Sequence, residues 1–256
     1  NVQAYAEAKA RITMNQTADD TLVLNQDDPR TRAIAHASNA RVVSFSATGA
    51  GDASLDDGRL TWRGEAVLDR GEVALPGRAG AEDALAALAC AASYGIELST
   101  IADALRGFRG LRHRLETVGS YDGVTYIDDS KATNPHATLS AVAELRDVVL
   151  IAGGRSKGID LSPLRASVPP VIGVVAIGEA AREVAAVFSG LVPVDIAADM
   201  DSAVAAAHAR SVPGGSVLLS PACASLDMYE SYAERGEDFA RAVSTTLKKE
   251  GTGGDA

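Results

Sequence analysis

From about residue 110 the chain alternates short apolar runs with helix-patterned segments, and this rhythm constrains its fold more than any other feature. Strands are predicted near 124–127, 148–152, 171–177, 192–195 and 216–220, and helices near 134–145, 160–166, 179–188, 199–210 and 226–247. Strand-helix alternation of this regularity argues for an α/β fold: a doubly wound, mostly parallel sheet covered on both faces. The run Val148-Val149-Leu150-Ile151-Ala152 shows no polar alternation, as expected of a strand buried on both sides.

The first half reads differently. Val2 to Ile12 is helix-patterned from its first residues, which makes the chain read as a piece of a longer protein. Short strands are predicted at Thr21–Asn25 and Arg41–Ser46, and residues 48–58 read as a loop. A hairpin is predicted around Arg63-Gly64-Glu65. A helix with Leu85, Leu88, Ala89 and Ala92 on one face follows, stopped by Gly95, then a short one with Ile101, Leu105 and Phe108 aligned. The two glycines flanking Phe108-Arg109 mark a boundary, giving domains 1–109 and 110–256. The Gly/Lys/Glu-rich tail after Thr246 reads as disordered.

A length of 256 residues suits one large or two ordinary domains. The formal charge of −10 disfavours nonspecific binding to nucleic acid or an anionic membrane, both of which need a basic surface. No apolar run reaches the roughly 20 residues of a membrane helix. Cys90 and Cys223 form no CxxC and no disulfide framework, which suits a reducing cytoplasm. His36, His113, His136 and His208 have no metal-ligand spacing.

In an open parallel sheet every loop that follows a strand lies on one edge, and ligands bind there. Three such loops stand out. Asp128-Asp129-Ser130-Lys131-Ala132-Thr133-Asn134-Pro135 offers a helix cap at Thr133 or Asn134, preceded by two carboxylates and a lysine that a cap does not require. Asp129 suits ribose hydroxyls or the orienting of a basic group, and Lys131 a phosphate or carboxylate. Gly153-Gly154-Arg155-Ser156-Lys157-Gly158 is expected to let backbone amides approach an anion, with Lys157 adding charge. It matches neither GxxxxGK[ST] nor GxGxxG, which counts against a dehydrogenase. In Ser220-Pro221-Ala222-Cys223-Ala224-Ser225-Leu226-Asp227, Ser225 is expected to cap the last helix beside amides suited to a carboxylate. Cys223 has no paired His and acid and does not read as a nucleophile. Together the loops point to an anionic ligand.

The run Gly110-Leu111-Arg112-His113-Arg114-Leu115-Glu116, with Tyr126-Ile127-Asp128-Asp129-Ser130-Lys131-Ala132-Thr133-Asn134-Pro135, resembles the Mur ligase family, in particular its D-glutamate-adding branch. The segments Ser220–Asp227, Glu234-Arg235-Gly236-Glu237-Asp238-Phe239, Tyr5-Ala6-Glu7-Ala8-Lys9 and Asn25-Gln26-Asp27-Asp28-Pro29 extend the resemblance over essentially the whole chain. It implies part of a central ATPase domain followed by a Rossmann-like domain, with the UDP-sugar domain and phosphate loop lying outside this chain. It also implies ATP-dependent, ADP-forming addition of D-glutamate to UDP-N-acetylmuramoyl-L-alanine in the cytoplasm, by a monomer, with Mg²⁺. By the same resemblance Lys9 carries a carbamate that helps hold Mg²⁺, and Lys131 lies near the phosphates; these two are the catalytic candidates. Arg114 and Asp129 contact the nucleotide. Thr133, Lys157, Ser225, Leu226 and Tyr232 hold D-glutamate, Tyr232 standing where the family pattern has phenylalanine.

One departure concerns adenine. Relatives often carry His-Asn-x-x-Asn after Leu-x-Gly, whereas Leu75-Pro76-Gly77 here precedes Arg78-Ala79-Gly80-Ala81-Glu82-Asp83. Asp83 remains to accept from the adenine amino group, but Gly80 replaces the first Asn. Two alternatives stay open: another Mur or folylpolyglutamate-type ligase, and a non-catalytic Rossmann-like module that binds nucleotide or amino acid. Without a phosphate loop, the chain by itself is expected not to hydrolyse ATP.

Overall fold

A computed structural model of the protein describes residues 2–250, with side chains over 4–247. The chain divides into two compact units, Asn1–Gly110 and Leu111–Ala256.

Unit 1 is built on a five-stranded sheet in sequential order: β1 (Thr21–Asn25), β2 (Arg41–Ser46), β3 (Ala53–Asp56), β4 (Arg59–Trp62) and β5 (Glu65–Asp69). The first three strands are parallel and the last two run as antiparallel hairpins. Helix α1 (Val2–Ala10) precedes the sheet, and α2 (Pro29–Ala35) joins β1 to β2. Helix α3 (Gly77–Ser93) buries Leu85, Leu88 and Ala89 against Val43, Ala53 and Leu60, and α4 (Leu98–Gly107) adds Ile101 and Leu105. Two readings change here. Residues 53–56 are a strand rather than loop, because Asp57 and Gly58 both adopt positive φ and close a tight hairpin. Phe108 lies beyond the end of α4 and is 44% exposed, off the apolar face.

Unit 2 contains a six-stranded sheet in the order β10 (Val194–Ala197), β9 (Val171–Ile177), β8 (Val148–Gly153), β11 (Ser216–Ala222), β7 (Val124–Asp128), β6 (Glu116–Tyr121). Five strands are parallel; β6 is an antiparallel edge joined to β7 through Asp122-Gly123, again at positive φ. Sequence periodicity missed β6 because its alternation is polar and half-buried on an edge. Adjacent residues of β8 serve opposite faces. Leu150 packs with Val142, Leu164, Val184 and Phe188, on the side of α5 (Pro135–Val142) and α6 (Ala181–Phe188). Val149 and Ile151 pack with Met200, Ala203, Phe239 and Val243, from α7 (Met200–Arg210) and α8 (Tyr232–Glu250).

The segment read as helix near 160–166 is a 3-10 turn over Ser162–Ser167, a short form with Pro163 in its first turn. Helix α8 starts at Tyr232, six residues later than its pattern suggested, and continues past Thr246 to Glu250. The rest of the tail read as disordered, 251–256, lies outside the described residues.

Candidate functional site

In unit 2, β7, β8, β9 and β11 end on one edge, and the loops that follow them carry most of the sequence-predicted site residues. In the first loop Asp128 turns both oxygens to structural tasks. Its Oδ1 accepts from the Ser130 amide at 2.9 Å, and its Oδ2 lies 2.7 Å from His113 Nδ1. Asn134, not Thr133, caps α5, accepting from the Ala137 amide at 3.0 Å with Pro135 in the first turn. Thr133 is left half-buried at the edge.

Asp129 is 5% exposed, and its carboxyl is pushed up to about 6. Burial is the leading cause, reinforced by the neighbouring Asp128 charge and opposed by Ser220, Leu115 and Arg114. Ser220 Oγ donates to Asp129 Oδ2 at 2.8 Å, and the Leu115 amide lies 3.4 Å from Oδ1. The half-buried Lys131 holds its Nζ 5.4 Å from the ring centroid of Tyr232, whose ring meets His113 edge-on at 6.2 Å. The Tyr232 ring thus lies between the cation of Lys131 and the buried ring of His113.

The second loop corrects an expectation. Gly153 and Gly154 do not form an open nest for an anion. Their amide neighbourhood is already engaged: Gly154 N donates to Ile177 O at 3.0 Å and Arg155 N to Ala224 O at 2.8 Å. Both glycines have positive φ, and a Cβ on either would fall inside contact distance of those same carbonyls. Their role is to let the ends of β8, β9 and β11 close on one another. Lys157, left-handed at φ 54°, remains exposed beyond them.

The third loop changes as well. Ser225 does not cap α8; its carbonyl accepts from Met228 at 3.1 Å and Tyr229 at 2.9 Å, making a separate turn before the helix. Leu226 is 51% exposed at the tip and Tyr232 opens α8. Cys223 is buried and its thiol is pushed up to about 11, chiefly by burial, which leaves it inert.

Sequence reasoning gave no role to the residue that ties these loops together. Arg235, 2% exposed on α8, donates Nε to Ser130 Oγ at 2.9 Å and Nη2 to Ser130 O at 2.8 Å. Both terminal nitrogens also lie 3.2 Å from Cys223 O. One planar fork therefore joins the loop after β7 to the loop after β11. His113 gains a partner too: with Glu116 and Asp128 it brings potential ligand atoms within 4.8 Å. The internal bonds of that group, His113 Nδ1 to Asp128 and His113 N to Glu116 Oε2 at 2.8 Å, account for it as a hydrogen-bonded brace.

In unit 1, Lys9 lies at the exposed end of α1 with Nζ 5.4 Å from the Tyr5 ring centroid. Asp83 is exposed on α3. Gly80 has no room for a side chain, since a Cβ there would stand 2.7 Å from the backbone of Leu75. Asp27 secures the end of β1 to the loop after β2, accepting from Ser46 Oγ at 2.6 Å, Thr48 Oγ1 at 2.8 Å and the Ala47 amide at 2.9 Å. Among the described residues, no helix is long and apolar enough to cross a membrane.

Two family profiles match this architecture: the Mur ligase middle domain over residues 1–91 and the Mur ligase, glutamate ligase domain over residues 113–223. The chain belongs to the Mur ligases. It is 43% identical over 263 residues to the UDP-N-acetylmuramoylalanine–D-glutamate ligase of Chlorobium limicola, covering 95% of this chain and 57% of that protein. Identity to the enzymes of the same name is 41% over 258 residues in Salinibacter ruber (96% and 56% covered) and 38% over 252 residues in Clostridioides difficile (93% and 55%). The chain therefore spans a little over half the length of these relatives. The fold is shared with the MurF ligase of Thermotoga maritima in complex with ADP, at a TM-score of 0.71 and 16% identity over 98% of this chain and 59% of that one. It is shared too with the folylpolyglutamate synthase/dihydrofolate synthase of Yersinia pestis, at 0.69 and 18% over 94% and 57%.

Proposed function

We propose that this chain carries the acceptor loops and part of the nucleotide site of an ADP-forming ligase that joins D-glutamate to UDP-N-acetylmuramoyl-L-alanine. The observation that carries this reading is the gathering of Thr133, Lys157, Ser225 and Leu226 on strand-end loops of one sheet edge, in a chain 43% identical to a ligase of that name. In this reading the substrate carboxylate attacks the γ-phosphorus of ATP and ADP leaves. The D-glutamate amine then attacks the acyl carbon, phosphate leaves, and the nitrogen gives up a proton. Binding must neutralise phosphoryl charge and align the amine.

Each residue has a task suited to its chemistry. Asp129, once ionised, accepts from ribose hydroxyls, while Arg114 and Lys131 meet nucleotide and phosphoryl oxygens. Lys157, Thr133 and Ser225 hold the acceptor carboxylates, with Leu226 and Tyr232 packing against its carbon chain. Asp83 receives the adenine amino group. Lys9 would hold Mg²⁺ through a carbamate, because an ammonium cannot ligate a cation; the ion supplies charge neutralisation at the phosphoryl oxygens when bound. In this reading the enzyme is a cytoplasmic monomer, and the buried, inert thiol of Cys223 accords with a reaction that uses no covalent intermediate on that residue.

The test is incorporation of labelled D-glutamate by the enzyme that contains this chain, with UDP-N-acetylmuramoyl-L-alanine and ATP. Stereospecific incorporation coupled to ADP release is the expected result. Preference for another amino acid would overturn the reading.

A further inference from the structure

The segment between β11 and α8 contains Ser225 and Leu226, yet it is not helical, and a nine-residue connection of this kind needs something to fix it. Two backbone bonds into Ser225 O make one turn. A second attachment comes from the next residue, Asp227, whose Oδ2 accepts from the Glu179 amide at 2.8 Å. Glu179 belongs to the loop after β9, which carries none of the residues assigned above. The preceding residue, Gly178, is shaped to this contact. It has φ 74°, and a Cβ on it would overlap Asp227 Oδ2 and stand 3.0 Å from Gly154 Cα.

The carboxylate therefore occupies the space that any side chain at position 178 would fill. On its other side, Ala224 and Arg155 exchange backbone bonds at 3.1 and 2.8 Å, so Ser225 and Leu226 are held between two fixed points. Gly178, Glu179, Leu226 and Asp227 also line a surface cavity of about 540 Å³. The second oxygen, Asp227 Oδ1, is enclosed without a hydrogen-bond partner among the described residues. Burial of that unpaired oxygen costs free energy, offset by the Glu179 amide and by the charge of the buried Arg235, for which Asp227 is the leading charge partner. An apolar side chain would fill the space without that cost. Beyond its charge near Arg235, what the carboxylate adds is a directional tie to one amide.

We propose that Asp227 is a positioning residue for the acceptor: by latching onto Gly178 and Glu179 it sets the placement of Ser225 and Leu226, and thereby the fit of the acceptor amino acid. This inference rests on the acceptor reading of those two residues. The latch bears directly on Ser225 and Leu226, so its signature is expected chiefly in acceptor affinity.

The experiment is steady-state kinetics of the enzyme containing this chain, with D-glutamate and ATP varied separately, for D227A, D227N, G178A and D227A/G178A. Expected for D227A is a rise of at least about tenfold in KM for D-glutamate, with KM for ATP and kcat within about twofold. Asp227→Asn keeps an accepting oxygen for the Glu179 amide and should restore most of the affinity. Gly178→Ala should mimic D227A, and the double variant should be no worse than either, because both break the same contact. An unchanged acceptor KM in D227A, a parallel loss for ATP, failure of D227N to rescue, or additive effects in the double variant would each overturn the latch. The wild-type assay separates the two inferences. If the wild type prefers another amino acid, the substrate reading fails, while the variants still report whether the latch sets affinity for that amino acid.

Discussion

His113 Nδ1 and Asp128 Oδ2 lie 2.7 Å apart in the interior of unit 2, directly under Gly236 of α8. A Cβ at position 236 would overlap His113 Nδ1 and stand 2.5 Å from Asp128 Oδ2. Replacing glycine by alanine inside a helix ordinarily gains about 0.5–1 kcal/mol. Here the sign should reverse: G236A is expected to lose about 1–3 kcal/mol through overpacking. Urea unfolding of the chain, followed by hydrogen exchange of β11 amides in unit 2, measures it.

Arg235 offers a second test in the same helix. Its removal leaves the Cys223 carbonyl and the Ser130 carbonyl and hydroxyl without their charged donor, inside the protein. At about 1–3 kcal/mol per buried unpaired acceptor, R235M should cost at least about 3 kcal/mol in unit 2. R235K keeps the charge but not the fork, and should fall between R235M and wild type.

The pH dependence of unit 2 should bear the mark of Asp129. Burial raises its carboxyl to about 6 from an ordinary 3.8. Between these values the folded state binds a proton that the unfolded state has released, so stability is greatest at the acid end and falls as pH rises through the window. The full swing is up to about 3 kcal/mol at 1.36 kcal/mol per unit. D129N should flatten the profile. Nucleotide affinity should change in the opposite sense, weakening below pH 6 as the carboxylate that accepts ribose hydroxyls becomes protonated.

At the start of α3, restoring the asparagine of the family pattern should fail. The Cβ of any residue at position 80 meets the Leu75 backbone at 2.7 Å, so G80N is expected to destabilise unit 1 by about 1–3 kcal/mol without strengthening nucleotide binding. Trp62, the single tryptophan and part of β4, reports unfolding of that unit by fluorescence. Tighter ATP binding in G80N would contradict this account.

Lys9 should take up carbon dioxide. In the enzyme containing this chain, ¹³C-bicarbonate should give a carbamate carbon signal that K9R lacks, and ligase activity should vanish in K9A. A labelled wild-type enzyme with no carbamate signal at saturating bicarbonate would remove Lys9 from the metal site.

The amino-acid sequence by itself determined whatever depends on neighbours along the chain. The unbroken apolar run of β8, the Asn134-Pro135 start of α5 and the hairpin at Arg63-Gly64 were legible because propensity and capping act over a few residues. The strand-end loops were legible too, since parallel topology sends them to one edge wherever the strands fall. The Asp57-Gly58 and Asp122-Gly123 turns offered an equally local signal for β3 and β6, one that apolar periodicity alone passes over. Only the tertiary structure decided what the polar residues do. His113 bonds Asp128 across 15 positions, Arg235 bonds Ser130 across 105, and Asp227 reaches Glu179 across 48. Gly153 and Gly154, which read locally as an anion nest, are held against the ends of neighbouring strands instead. A buried polar group must find a partner, and which partner it finds depends on how the sheet closes, a property that no short window of sequence contains.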